Sequence, residues 1–300
     1  DGLCFKLVSE NYAANKPELR ADAYAARRDN KWIVVVNEEA DQEEGNPYDA
    51  ILEGTLMFSP DGRHVVYAAN QDDKSLVIKD SEILGRYVWA GRPAFSPHAS
   101  RLSYEVEQKG KRRLIVDSVA GRAYDALGDC VFSPDGKRVA YWAKRDGMWI
   151  VVLDGQEGEP YDGYGERSLV FSPNSQRVAY VAVRNGKGLV RVDGTEGKPY
   201  DAILAGTPVF SLDSKRVAYG AMRNGKWLVV TDGLEGGEYD LLGEHTLWFT
   251  PDSRRLAFVA GYGRRLTFVV GEEVANDYDM FPRGSGWVRD APGGFHKIPV

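Results

Sequence analysis

Four histidines, His64, His98, His245 and His296, are the side chains of this 300-residue chain best suited to metal or acid–base work near neutral pH. His64 and His98 replace, respectively, an arginine and a turn aspartate in two neighbouring copies of one recurring pattern, so a shared metal or acid–base site between them is a candidate. Isolated histidines on turns are more simply surface substitutions, and histidine is too scarce here for a histidine-rich metal centre. Carboxylates pair in DGQEG (154–158), DGTEG (193–197) and DGLEG (232–236), but two per turn fall well short of the about six to eight oxygens calcium takes. The two cysteines, Cys4 and Cys130, form no CxxC or Cys/His cluster, although a disulfide between them stays open. RGSGW (283–287) lacks the G-x-S-x-G spacing of a nucleophile elbow, and GTEGK (194–198) lacks that of a phosphate loop. No catalytic set and no cofactor is therefore expected.

The elements that must carry these residues repeat. VFSPDGKRVAY (131–141) recurs as MFSPDGRHVVY (57–67), VFSPNSQRVAY (170–180), VFSLDSKRVAY (209–219) and WFTPDSRRLAF (248–258). Its phenylalanine falls at positions 58, 95, 132, 171, 210 and 249, and a tyrosine usually followed by aspartate falls at 48, 87, 124, 161, 200, 239 and 278. Both markers advance by 37 or 39 residues. Each unit reads as four short strands: an apolar run ending in S-P-[DN]-[GS], an alternating RVAYVAV strand ending at R-N-G-K, a β-branched KWLVV strand ending at D-G-x-E-G, and a short strand closing on PYD. Seven near-equal Tyr-Asp copies suit a lock between neighbouring units better than one active site. Tyrosine is expected to pack between units with its hydroxyl bonded, and aspartate to cap the turn into the next.

Four strands in about 40 residues is the size of a propeller blade. The expected fold is all-β, a seven-bladed β-propeller of four-stranded antiparallel blades, forming one domain over 1–300. Residues 1–20 would be an extension or closing segment. The N-terminal unit lacks a first strand, while GWVRDAPGGFHKIPV (286–300) offers one, so the two ends are expected to share a blade and close the ring.

FSPDGKRVAY followed by an apolar strand ending in D-G resembles the WD40-like (PD40) repeat of TolB-type β-propellers over about residues 20–300. The Gly-His and Trp-Asp signatures of eukaryotic WD repeats are absent. The resemblance implies a protein-interaction module, periplasmic or extracellular, and reaches peptidases only through a separate catalytic domain that these residues do not contain.

Function is then sought where the copies differ. A formal charge of −6 argues against nucleic acid or anionic membranes as partners, and no run of eighteen apolar residues suggests membrane insertion. The loops joining second and third strands are nonetheless basic, with Arg112, Arg113, Lys144, Arg145, Arg264 and Arg265 among them, and those joining third and fourth strands are acidic. Trp89, Tyr164 and Tyr262 stand outside the repeat and map to the basic end. These nine residues form the expected partner face, and the expected function is a non-catalytic scaffold that binds a protein through it. Two alternatives are a propeller enzyme or carbohydrate-binding protein with a site at the channel mouth, and an architectural subunit of a larger complex.

Overall fold

The computed structural model describes residues 21–38, 41–263, 265–271, 273–279, 287–289 and 295–297. Every regular element among them is a β-strand, and no helix is long and apolar enough to cross a membrane. The strands follow the repeat. Blade 1 (21–44) is a three-stranded antiparallel sheet. Blades 2 (50–87), 3 (89–120), 4 (126–161), 6 (202–239) and 7 (241–279) are antiparallel meanders in chain order, with the inner strand in two short pieces in blades 2, 6 and 7.

The chain's contacts divide it into two compact units, 1–178 and 179–300, where the repeat alone suggests one domain. Blades 1 to 4 and the first-strand pieces of blade 5, Gly163–Tyr164 and Val170–Phe171, belong to the first unit. The remainder of blade 5, blades 6 and 7, and a hairpin of Trp287–Arg289 with Phe295–Lys297 belong to the second. The two chain ends expected to share one blade, 21–36 and 286–300, fall in different units, and among the described residues Trp287–Arg289 pairs with Phe295–Lys297 while 21–44 forms its own three-stranded sheet.

The S-P-D-G-K-R segment folds as it does because its polar groups satisfy one another. In blade 4, Ser133 Oγ donates to Asp135 Oδ1 (2.6 Å) and accepts from the Arg138 N–H (3.0 Å), while Asp135 Oδ1 also accepts from the Lys137 N–H (3.1 Å). Gly136 supplies the positive φ of 72° that closes the turn. Ser59 with Asp61, Ser211 with Asp213 and Thr250 with Asp252 repeat the arrangement. Second and third strands join through two-residue turns with both φ values positive, as at Asp146 (52°) and Gly147 (82°), which match the twist of paired strands.

Between blades the tyrosines do what their repetition suggests. Tyr124 is buried, meets Tyr141 edge to face with ring centroids 6.3 Å apart, and donates its hydroxyl to Glu157 (2.9 Å). Tyr200 makes the same contacts with Tyr219 and Glu235. Tyr48 departs from the pattern: it packs on Tyr67, but its buried hydroxyl finds no partner. The following aspartates cap the next blade's turn, Asp125 accepting from the Asp146 N–H (3.0 Å) and Asp201 from the Asn224 N–H (2.8 Å).

Candidate functional site

The cations expected to form an open basic rim are largely paired. Lys31, Lys111, Lys187 and Lys226 bind Asp49, Asp125, Asp201 and Asp240, the aspartates of the Tyr-Asp marker. Arg28, Arg145, Arg184 and Arg223 reach Glu44, Glu157, Glu196 and Glu235 at 2.5–2.9 Å. The physical reason is the length of arginine, which lies along the blade and brings its charge to a glutamate that chain order places beyond the other turn. Arg113 turns inward and donates to the Gly121 carbonyl at 2.7 Å, leaving its buried Nε without a partner. Lys144 lies over the Trp149 ring, 5.6 Å from its centroid. Tyr262 is exposed beside Tyr239 in the second unit, Arg265 is exposed in the same hairpin, and Arg264 lies outside the described residues. The sequence therefore overstates the free positive charge on these loops.

His64 and His98 also find structural places. Elsewhere the repeat arginine bridges two blades. Arg138 donates from Nε to Asp154 in its own blade (2.8 Å) and from Nη1 to the Gln176 carbonyl beyond (2.9 Å), with its guanidinium 5.4 Å from the centre of the Phe171 ring. Arg101 does the same with Asp117, the Lys137 carbonyl and Phe132. His64 keeps only the near half: its Nδ1 lies 2.6 Å from Asp80 Oδ2. His98 is exposed on the blade 3 turn. Among the described residues no three His, Cys, Asp or Glu side chains gather as a metal cluster. Cys4 lies outside the described residues, and Cys130 is a free thiol.

The blades differ most where blades 3 and 4 are two residues shorter. In blade 2 the inner strand breaks into Ala50–Ile51 and Met57–Phe58, and between them Thr55 Oγ1 donates to the Leu52 carbonyl (2.6 Å) and accepts from the Ala68 N–H (3.0 Å). Ser168, Thr207 and Thr246 make the same bond to the carbonyl three residues back. Blades 3 and 4 lack this turn. Their inner strands run unbroken as Trp89–Phe95 and Ala126–Phe132, each with a register shift: Arg92 and Pro93 face Tyr104, and Gly128 and Asp129 face Trp142. These are β-bulges, which re-aim side chains and favour functional sites. Arg92, with φ 50°, and Asp129 thus replace the Ser/Thr hydroxyl with opposite charges.

A cleft of about 470 Å³ opens there, lined among others by Arg92, Glu105, Asp129, Cys130 and Tyr164. Glu105 occupies the position filled by Ala68, Trp142, Val181, Gly220 and Val259 in the other blades. Its side chain is only 8% exposed, with Arg92 Nη1 at 3.4 Å and Arg112 Nη1 at 3.6 Å, longer than a charge-assisted hydrogen bond. Burial pushes its carboxyl above the usual range, the two arginines offsetting part of the effect. Arg112 also lies over Trp89, 4.1 Å from the ring centre, and pairs with Glu107 at 3.3 Å. Tyr164 stacks on Trp142 at 4.9 Å and meets Trp149 at 4.6 Å.

Glycine is required beneath both aromatics. A Cβ on Gly91 would come within 3.0 Å of the Trp89 ring, and one on Gly128 within 2.6 Å of the Tyr164 hydroxyl. Burial lifts the Cys130 thiol to about 12, so it is no nucleophile at neutral pH.

Repeat, four-stranded meander and interblade lock now stand together. The repeat is a β-propeller blade. No family model matches the chain, and none of the curated proteins does. Solved propellers resemble it only distantly. TolB from Acinetobacter baumannii shares 12% identity, with 83% of this chain and 76% of that one covered at a TM-score of 0.36. The β-propeller domain of the Trilobed protease from Pyrococcus furiosus shares 10%, covering 90% and 94% at 0.38. The dihydro-heme d1 dehydrogenase NirN shares 12%, covering 97% and 71% at 0.43. At such identities nothing of their activities carries over.

Of the expected face, Tyr164 lines the cleft and Arg112 reaches its Glu105 while lying over Trp89, whereas Arg113 and Arg145 are spent on bonds within their own blades. Glu105, Arg92 and Asp129 are the residues sequence reading missed. Two signals point to them: the drop in spacing from 39 to 37, and a carboxylate at a position otherwise Ala, Gly or a larger apolar residue.

Proposed function

We propose that this chain is a non-catalytic β-propeller that binds a protein partner, and that the partner is gripped at the cleft between blades 3 and 4. The observation that carries the reading is the coincidence, in two adjacent blades, of a two-residue shortening, two bulges and a buried carboxylate where blades 2, 5, 6 and 7 keep the repeat. A binding role is favoured over catalysis because Glu105 is tied to arginines rather than to a second titratable group poised for proton transfer, and the one thiol in the cleft stays protonated. Trp89 and Tyr164 supply the rigid aromatic area on which interface hot spots are built.

The presence of Glu105, Asp129 and Glu166 in one cleft favours, as a second reading, a propeller enzyme or carbohydrate-binding protein. A display library of random peptides panned on the wild-type chain and on Glu105→Val separates the cases. Enrichment of one peptide class by the wild type and its loss by the variant, at an unchanged circular dichroism spectrum, supports the proposal. Equal enrichment by both chains refutes it. A soluble glycan array that is bound where the peptides are not favours the second reading.

A further inference from the structure

We propose that the cleft between blades 3 and 4 recognises a cationic side chain, lysine or arginine, of the protein partner, with Glu105 as its counter-ion. This rests on the cleft being the binding site and adds what the cleft selects.

Glu105 is a carboxylate more than nine-tenths buried at a position where a hydrophobic residue or glycine serves the other blades, so folding alone gives no reason to keep it. Its two cationic neighbours do not complete it. Both stand beyond 3.3 Å, and Arg112 divides its guanidinium between Glu105, Glu107 and the Trp89 face. A buried carboxylate accepts short hydrogen bonds, and neither arginine contact is short. The space in front of it is about 470 Å³, ample for a lysine or arginine side chain.

The rest of the lining agrees. Asp129 and Glu166 add two carboxylates, so three acids stand against Arg92 and Arg167 in the lining and Arg112 beside Glu105. Asp129 is held in place by the Arg167 backbone N–H, whose hydrogen bond its Oδ2 accepts. Arg92 has a side chain 68% exposed on a bulge, and can swing outward as a ligand cation takes its place beside Glu105. Tyr164, fixed by stacking on Trp142, offers an aromatic wall to the cation's alkyl stem.

The test titrates the full chain, ¹⁵N-labelled, with N-acetyl-arginine amide, its neutral isostere N-acetyl-citrulline amide and N-acetyl-glutamate amide, following backbone amide shifts. The arginine probe is expected to shift Gly91, Arg92, Gly128 and Asp129 saturably, and the citrulline probe to bind roughly 10-fold or more weakly, the worth of one charge-assisted hydrogen bond. Glu105→Gln should bring the arginine probe to the citrulline level, Glu105→Asp should retain part of the preference, and Arg92→Ala should strengthen binding. Dispersed amide spectra for each variant establish that it is folded. Glutamate binding as tightly as arginine with the same shifts overturns the cation assignment while leaving the cleft as a site. No cleft amide moving with any probe overturns both.

Discussion

Arginine at the end of S-P-D-G-K-R ties blade to blade, and the seam where histidine replaces it is the place to measure that tie. In Arg138→Ala the ion pair to Asp154 at 2.8 Å, the hydrogen bond to the Gln176 carbonyl at 2.9 Å with a longer one to the Ser175 carbonyl at 3.4 Å, and the guanidinium over Phe171 at 5.4 Å are all lost. The ion pair is two-fifths exposed on the acid's side and counts for about 0.5 kcal/mol. The bond from a charged donor adds about 1.5 kcal/mol and the cation–π contact about 0.5 kcal/mol. Asp154 is not stranded, because it still accepts from the Val139 N–H at 3.0 Å. The expected loss is therefore about 2–3 kcal/mol.

The converse change is more informative. The seam beyond His64 holds a cavity of about 280 Å³ lined by Phe95 and Ser100, the ring and carbonyl positions an arginine would meet. His64→Arg should therefore stabilise the chain by about 1–2 kcal/mol, the worth of the two interblade contacts. Urea unfolding at constant slope reads both changes as shifts in midpoint. If Arg138→Ala lies within about 0.5 kcal/mol of wild type, or if His64→Arg is destabilising, the arginine is no interblade tie and the reasoning fails.

Two further outcomes concern titrating groups. Burial raises the Glu105 carboxyl above its ordinary 4.5, so its stabilising contribution is full below about 4.5 and is lost as pH rises through the raised folded value; Glu105→Gln should then melt above wild type at pH 7, with the advantage shrinking toward pH 4 in a thermal scan. Glu235 is the opposite case: hydrogen bonds from Tyr200, Lys198 and Arg223 hold it at about 2, so its stabilisation is present above 4.5 and lost as pH falls through about 2, and the melting difference between Glu235→Gln and wild type should close over that interval.

The blade was legible because its determinants are local. Ser133, Asp135 and Gly136 lie within a few residues of the groups they satisfy, and a hairpin turn such as Asp146 with Gly147 announces itself by residue type. Tyr124 and Asp125 could be given interblade roles because repetition alone excludes a single active site. The charge on the loops was misjudged for the opposite reason. Lys111 meets Asp125 and Arg145 meets Glu157 only once the meander brings residues 14 and 12 positions apart together, although the fixed Lys-to-Asp spacing of 14 in three blades carried the hint. Glu105 escaped notice because it sits inside RLSYEVE, a strand whose alternation looks like every other copy. Its meaning depends on the shortened strands Trp89–Phe95 and Ala126–Phe132, where the loss of two residues removes the Ser/Thr turn and leaves a cleft in its place.

The central claim is that partners engage this cleft. It is tested most directly by the amide-shift footprint of a display-selected peptide on the labelled full chain. The largest shifts are expected along both bulged strands, at Gly91, Arg92, Gly128 and Asp129, together with Tyr164. A footprint confined to the turns at Asn185 with Gly186 and Asn224 with Gly225, with those strands unmoved, would contradict it.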